Sequence, residues 1–475
     1  MPVDTANSPD LHRRLGPLDG AAIVISNVIG GGIFFLPIIV ALNVPNPSLM
    51  LAAWLVGGLL AFAGAVSYAE LAALRPRAGG EYVYLREAFG PVAAFLTGWT
   101  SFVAGFSGAM AASAVVLAFY LGRFVPAAAD PTPLVAVPLG FATLTLSRQT
   151  LVALAAIWLM AWIHRRGVGP GRVVGNLLAS LKVSALLLFI ALGFSLGTGS
   201  TTHFHEAAGP LGGSGWLFAL IPVMFTYSGW NAAAYVAEEI RDPGRNVPRA
   251  LAIGTLAVGA IYVLLNLLYL YVLPVGHLAQ VKGSVLDVIA DRLLGARAGD
   301  VMGLVSVVSL AASISAMTFA GPRVYYAMAR DGLFVDAAAV VHPRYRTPAV
   351  SIVAQAVWSS LLVLLGKATD LTTYTGFAVV LFAGVAVAAL FVLRRRAPVA
   401  PRPFSAWGYP VAPGIFLVAS ALIVGNALWT DLGRPIATGT AFGPSTWGLL
   451  IILLGVPVYL GFNARRRASA TTPTP

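Results

Sequence analysis

Long apolar runs alternate with short polar stretches along the whole chain. Twelve runs stand out, near 17–42, 47–72, 91–120, 147–164, 172–195, 215–240, 247–273, 299–328, 347–366, 371–393, 409–429 and 445–462. A helix needs about 20 apolar residues to cross the hydrocarbon of a bilayer. Most of the runs meet that length, and 147–164 is the shortest. The pattern predicts an all-α membrane protein of twelve helices, forming one transmembrane domain over residues 1–475. Between runs two and three, 73–90 mixes polar and apolar positions as a short interfacial helix does. Residues 274–298 are amphipathic and are expected to form a partial lid. Ala468 to Pro475 is rich in Thr, Pro and Ala and predicts a disordered tail.

Two runs carry a break. In the first, Asn27-Val28-Ile29-Gly30-Gly31-Gly32-Ile33-Phe34 places three consecutive glycines inside the apolar segment. Each glycine costs a helix interior about 1 kcal/mol relative to alanine. In lipid an opened backbone survives only where protein or a polar cavity satisfies it. Small residues also serve close helix packing, so the triplet alone admits either reading. The sixth run has a matching interruption, Phe225-Thr226-Tyr227-Ser228-Gly229-Trp230-Asn231. Runs one and six each open a set of five, 17–195 and 215–393, with 409–462 as the last two helices. Five is odd, so the two sets have opposite orientations. An inverted repeat with a broken helix in each half points to a midplane site in a secondary transporter. The amides that restart a helix suit an anion, and freed carbonyls suit a cation. A zwitterion needs both.

Composition supports the membrane reading. The chain is 58% hydrophobic and 10% charged, with a mean hydropathy of +0.83. A net charge of +12 invites a nucleic-acid partner, but the basic residues follow topology instead. With the N-terminus in the cytoplasm, Arg13, Arg14, Arg75, Arg77, Arg86, Arg165, Arg166, Arg172, Arg241, Arg245, Arg249, Arg330, Arg344, Arg346, Arg402 and the clusters 394–396 and 465–467 all fall inside. The other side holds Arg123, Arg148, Lys282, Arg292, Arg297, Lys367 and Arg434. This is the positive-inside bias, with both termini cytoplasmic. Met1 to Gly16 has no secretory-signal core. There is no cysteine, so disulfides and thiolate metal sites are excluded. No cofactor or nucleic acid is expected; the partners are a small molecule and membrane lipid.

The first break is similar to the glycine-rich first-helix motif of the amino acid–polyamine–organocation superfamily. Glu238-Glu239-Ile240-Arg241-Asp242-Pro243-Gly244-Arg245-Asn246-Val247-Pro248-Arg249 after the second break resembles the L-type amino acid transporter branch. So do Ala329-Arg330-Asp331-Gly332, Arg402-Pro403-Phe404 and Trp407-Gly408-Tyr409-Pro410. The resemblance covers about 15–460 and implies the leucine-transporter-like five-plus-five fold. It departs from the pattern at Gly31, often Ser in the family, and at Ser228, often Gly in this branch. It implies that the amides of Gly31 and Gly32 hold an α-carboxylate. It further implies that the carbonyls of Val28, Phe225 and Ser228 take the α-ammonium, and that Phe225 closes over the substrate. The candidate substrate residues are Asn27, Val28, Ile29, Gly30, Gly31 and Gly32 in the first break and Phe225, Ser228, Gly229 and Asn231 in the second. Asn27 either bonds the ligand or caps its half-helix.

Lys182 is the lysine placed inside a span, about 15 Å from the cytoplasmic end, beyond the reach of snorkelling. An ionisable residue at that depth is a functional candidate. The resemblance places it where sodium-coupled relatives hold sodium, tying helix five to the first break and to helix-eight hydroxyls such as Ser313. It acts either as a proton carrier or as a fixed tether. Glu238, Glu239 and Asp242 are expected to form a solvated network with neighbouring arginines. His203 and His205 lie outside the membrane and do not suggest a metal site.

The expected function is sodium-independent alternating-access transport of neutral amino acids by an exchanger in a bacterial inner membrane. A proton-coupled symporter is the alternative. An intramembrane enzyme would need a nucleophile–base pair or metal ligands at depth, and a channel would need a continuous polar lining. Neither pattern is present in the spans. Animal L-type transporters carry a disulfide-linked heavy subunit; with no cysteine, no such bridge is expected here.

Overall fold

The computed structural model describes residues 11–140, 142–210, 215–366, 368–438 and 443–471. Span one is two half-helices, Pro17–Val28 and Gly32–Asn43, bent by 51°. Spans two and three are Pro47–Leu74 and Pro91–Leu121, and span four is Arg148–Arg165. Span five is Val168–Leu196. Span six is Gly215–Thr226, an unwound stretch 227–231, then the single turn Ala232–Tyr235. Pro243–Val272, Ala298–Arg330, Ala349–Leu364 and Ala368–Arg396 are spans seven to ten. Val411–Thr438 and Pro444–Thr471 complete the twelve.

Local chemistry sets several boundaries. Asn46 accepts from the amide of Leu49 at 3.0 Å, and Pro47 opens span two as its first helical residue. Ser147 accepts from Thr150 N to start span four. Outward positions on spans five, eleven and twelve, such as Leu177, Leu188, Leu422 and Leu454, are apolar and exposed, as a bilayer requires. Span eight is the most enclosed of the long helices, and spans eleven and twelve are the least.

Several expectations change. Ala349–Leu364, with 16 residues, is shorter than Arg148–Arg165, with 18. The connection from span three to span four carries an antiparallel hairpin, β1 (Pro133–Pro138) with β2 (Thr143–Ser147), added to a fold whose spans are all helical. The first strand is the apolar run Leu134-Val135-Ala136-Val137 and the second alternates Thr and Leu, a short β pattern hidden beside far longer apolar runs. The last helix continues to Thr471, so the tail begins later than its composition suggests. Residues 472–475 and the side chains of Lys367, Arg434, Arg466 and Arg467 lie outside the described residues. Asp370 falls in the first turn of span ten, which starts three residues earlier than the apolar run.

The segment 73–90 contains the helix Glu81–Phe89, and 274–298 contains Val285–Leu294. The latter buries Val285, Leu286, Ile289 and Ala290 against its neighbours. Arg123 pins it by reaching Asp287 at 3.0 Å and Asp300 at 2.5 Å. Burial, only partly offset by Arg123, pushes the Asp287 carboxyl up to about 6.

Candidate substrate site

The two breaks pack directly against each other. Gly229 has φ +100, and a Cβ there would lie 2.5 Å from Asn27 Nδ2. That nitrogen donates to the Gly229 carbonyl at 3.4 Å. Asn27 therefore bridges the breaks rather than capping its own half-helix. A Cβ at Gly32 would meet the Thr226 side chain at 3.3 Å, whereas one at Gly31 would find only Leu310, at 3.9 Å. The amides of Gly31 and Gly32, which restart the helix, take no acceptor among the described residues. Two amides at the positive end of a half-helix make an anion-binding geometry.

The carbonyl side is more occupied than the sequence suggests. Val28 O accepts from Gly30 N at 2.9 Å and from the Tyr262 hydroxyl at 2.9 Å. The same hydroxyl reaches Thr226 O at 3.2 Å. One phenol from span seven thus joins the carbonyl ends of both broken helices. Phe225 O accepts from Ser228 N at 3.0 Å. The Phe225 ring is half-buried and lies where a Cβ at Gly376 of span ten would touch it at 2.9 Å.

Two of the candidate residues turn away from this point. Ile29 is fully buried, and its carbonyl faces span five instead. Asn231 donates to Glu81 Oε1 at 2.7 Å and to the Tyr235 hydroxyl at 3.1 Å.

Lys182 is wholly buried. Its Nζ donates to Ile29 O at 2.6 Å, Ser26 O at 3.2 Å and Ser309 O at 3.5 Å. An ammonium has three donors, and all three are used. Ser26 and Ile29 lie at the carbonyl end of the first half-helix, where its dipole favours a cation. The Ser313 hydroxyl donates into the same cluster, 2.9 Å from Ser26 O and 3.3 Å from Ile29 O. Spans one, five and eight are thereby joined at one cation. Because span five starts at Val168, Lys182 lies 14 residues in, about 21 Å along the helix.

Span three contributes a π-bulge, Ser101–Gly105. Ser101 O accepts from Phe106 N within the bulge and also from Tyr325 OH at 3.1 Å, and Trp358 Nε1 donates to Val103 O at 2.9 Å. Such bulges often mark functional sites. Glu239 is the clearest correction. It is fully buried, not solvated, and both its oxygens pair with the buried Arg323 at 2.7 and 3.0 Å. Its backbone carbonyl also accepts from Arg14 N and Leu15 N, each at 3.0 Å. Glu238 remains nearer the surface, 3.3 Å from Arg330. His203 bonds the Tyr271 carbonyl at 3.0 Å. No group of three or more metal-ligating side chains occurs among the described residues.

A broken first span, a broken sixth span and a shared junction between them describe a carrier architecture. The family model for amino acid permeases matches residues 15–457. The chain belongs to the amino acid permease family. The permease is 28% identical over 458 residues to the serine/threonine exchanger SteT of Bacillus subtilis, a match spanning 96% of this chain and 98% of that one. It is 29% identical over 457 residues to the human large neutral amino acids transporter small subunit 2, covering 94% of this chain and 80% of the relative. The human cystine/glutamate transporter is 29% identical over 464 residues, 95% and 85% of the two chains. These names span neutral and acidic cargo, so side-chain preference has to be argued from the walls of the site.

Proposed function

We propose that this permease is a sodium-independent exchanger of neutral amino acids in a bacterial inner membrane, with both termini cytoplasmic. The observation that carries this reading is the junction of the two breaks with Lys182 behind it. The amides of Gly31 and Gly32 suit the α-carboxylate, and the carbonyl ends near Val28, Thr226 and Phe225 suit the α-ammonium. The side-chain wall is apolar where it is near the breaks: Leu310 faces Gly31, and Phe225 faces Gly376. A cationic or anionic side chain would be buried there without a partner, which is costly. Names of the relatives support amino acid exchange, and the arginine-rich face supports the orientation. The substrate would bind between the broken helices while one helix bundle rocks against the other during the cycle.

The Lys182 ammonium occupies the carbonyl cluster that would otherwise attract a metal cation, and would repel a second charge beside it. Uptake into vesicles preloaded with substrate is expected to exceed uptake into empty ones, and to be unchanged when choline replaces sodium. Strong sodium stimulation, or arginine uptake that excludes alanine and leucine, would overturn the reading. Equal uptake with and without internal substrate, driven by a proton gradient, would favour symport. Lys182→Ala should lower transport by about tenfold or more while substrate binding, read by thermal stabilisation, changes far less.

A further inference from the structure

The segment 78–81 is fastened to the far side of the helix-six break. Ala78 N donates to Glu238 Oε2 at 2.9 Å, and Gly79 N donates to Tyr235 O at 3.1 Å. Gly80, at φ +50, lies so near the Tyr235 ring that a Cβ would sit 2.6 Å from it. Glu81 completes the contact through Asn231, inside the unwound stretch.

The Glu81 carboxyl is buried, with neutral donors around it. Oε1 accepts from Tyr68 OH of span two at 2.6 Å and from Asn231 Nδ2 at 2.7 Å. Oε2 lies 3.4 Å from the Thr97 hydroxyl of span three. Tyr84 and Tyr235, both buried phenols, complete the titratable neighbours. Among the described residues no cation pairs with Glu81. The nearby charges are engaged elsewhere. Span eight's Arg323 holds Glu239, and its Arg330 holds Glu238. Asp331 pairs with Arg86 and accepts from Tyr82. Span ten's Arg394 binds Glu70, and Arg396 reaches the Glu87 carbonyl. Glu70 and Glu239 are more deeply buried still, and each has its arginine. A carboxylate buried without a cation either takes a proton or draws water to itself.

We infer that Glu81 is a proton-binding site that positions the helix-six break: protonated, it holds the 78–81 segment against residues 231–238, and on losing its proton it releases them. Glu81 lies in the interfacial helix, outside the spans. Burial raises its carboxyl above the ordinary glutamate range, and its hydrogen bonds only partly reverse this. In an opened, hydrated form that rise would vanish. The closed form therefore binds the proton more tightly, so acid favours closure and rising pH favours opening.

This rests on the alternating-access reading, but its test needs no substrate. The chain has no cysteine, so one can be added as a reporter. Ala78 is buried and lines a cleft of about 520 Å³ with Arg77, Tyr82, Arg86, Glu238 and Arg330. The labelling rate of Ala78→Cys by a thiol reagent would be measured across pH 5–9 in the intact, reconstituted chain. The same rate at Val399→Cys, which is 93% exposed, corrects for ionisation of the thiol. The corrected rate should rise about tenfold for each unit of difference in proton affinity between the two forms. Glu81→Gln should remove that rise and hold the rate at the acid level. Tyr68→Phe, which removes a donor to the carboxylate, should move the midpoint to higher pH. A flat profile in the wild-type background, a profile in Glu81→Gln that still titrates, or an unmoved midpoint in Tyr68→Phe would overturn the inference. The first and third results stand even if Glu81→Gln does not fold. Failure of exchange in vesicles would count against the transport reading alone and leave the labelling profile intact.

Discussion

Gly31 and Gly229 sit at the two breaks for different physical reasons. Gly229 has a left-handed backbone and a neighbour, Asn27, in the space a Cβ would need. Strain of about 1–2 kcal/mol adds to that overlap, so Gly229→Ala should lower the melting temperature and abolish most transport. Gly31 has an ordinary φ of −63° and open space out to Leu310. Gly31→Ser should therefore fold normally and keep transport within a few-fold, measured by melting and by vesicle uptake. Glycines and a lone intramembrane lysine are visible in the sequence because each breaks the rule of an apolar helix. Tyr262 was not legible, since an aromatic on an apolar helix looks like packing until its hydroxyl is located. Asn231 was legible as a polar residue at the break, but its partner Glu81 lies 150 residues away, and no local spacing reveals that.

Among the elements, span six departs most from its hydropathy. The run 215–240 reads as one long helix with a kink, yet after Thr226 the chain regains only one α-helical turn before a 3-10 turn at Ala237–Glu239. That shortening draws Glu239 into the core to meet Arg323, whereas in the sequence the same charge-rich motif looks solvated. Breaking a buried ion pair by removing one partner costs about 3–5 kcal/mol. Glu239→Gln or Arg323→Met should each lower the melting temperature markedly. The double variant should be less destabilised than the sum of the two, because neither charge is left alone. Additive losses would mean that the two side chains act separately.

At the scale of the molecule, the number and order of the spans were legible because a bilayer fixes both the length and the polarity of what crosses it. The hairpin Pro133–Ser147 was not, because nothing outside the bilayer imposes such a length. The twelve helices enclose their own buried core, and the sequence has no cysteine with which a disulfide to a second subunit could form. The permease purified alone and placed in liposomes is expected to exchange amino acids. Activity that returns only with a co-purified protein would refute self-sufficiency.

The Tyr262 hydroxyl spans two carbonyls with a single proton, 2.9 Å from Val28 O and 3.2 Å from Thr226 O. One O–H cannot fully serve both at once. Rotation about one bond hands the proton from one helix end to the other. The phenol is in effect an understudy for a cation. On the substrate site proposed above, an ammonium taking either carbonyl would leave the hydroxyl to the other. In the empty carrier the hydroxyl serves one carbonyl at a time, and Val28 O keeps its 2.9 Å bond from Gly30 N, so the first break is never without a donor.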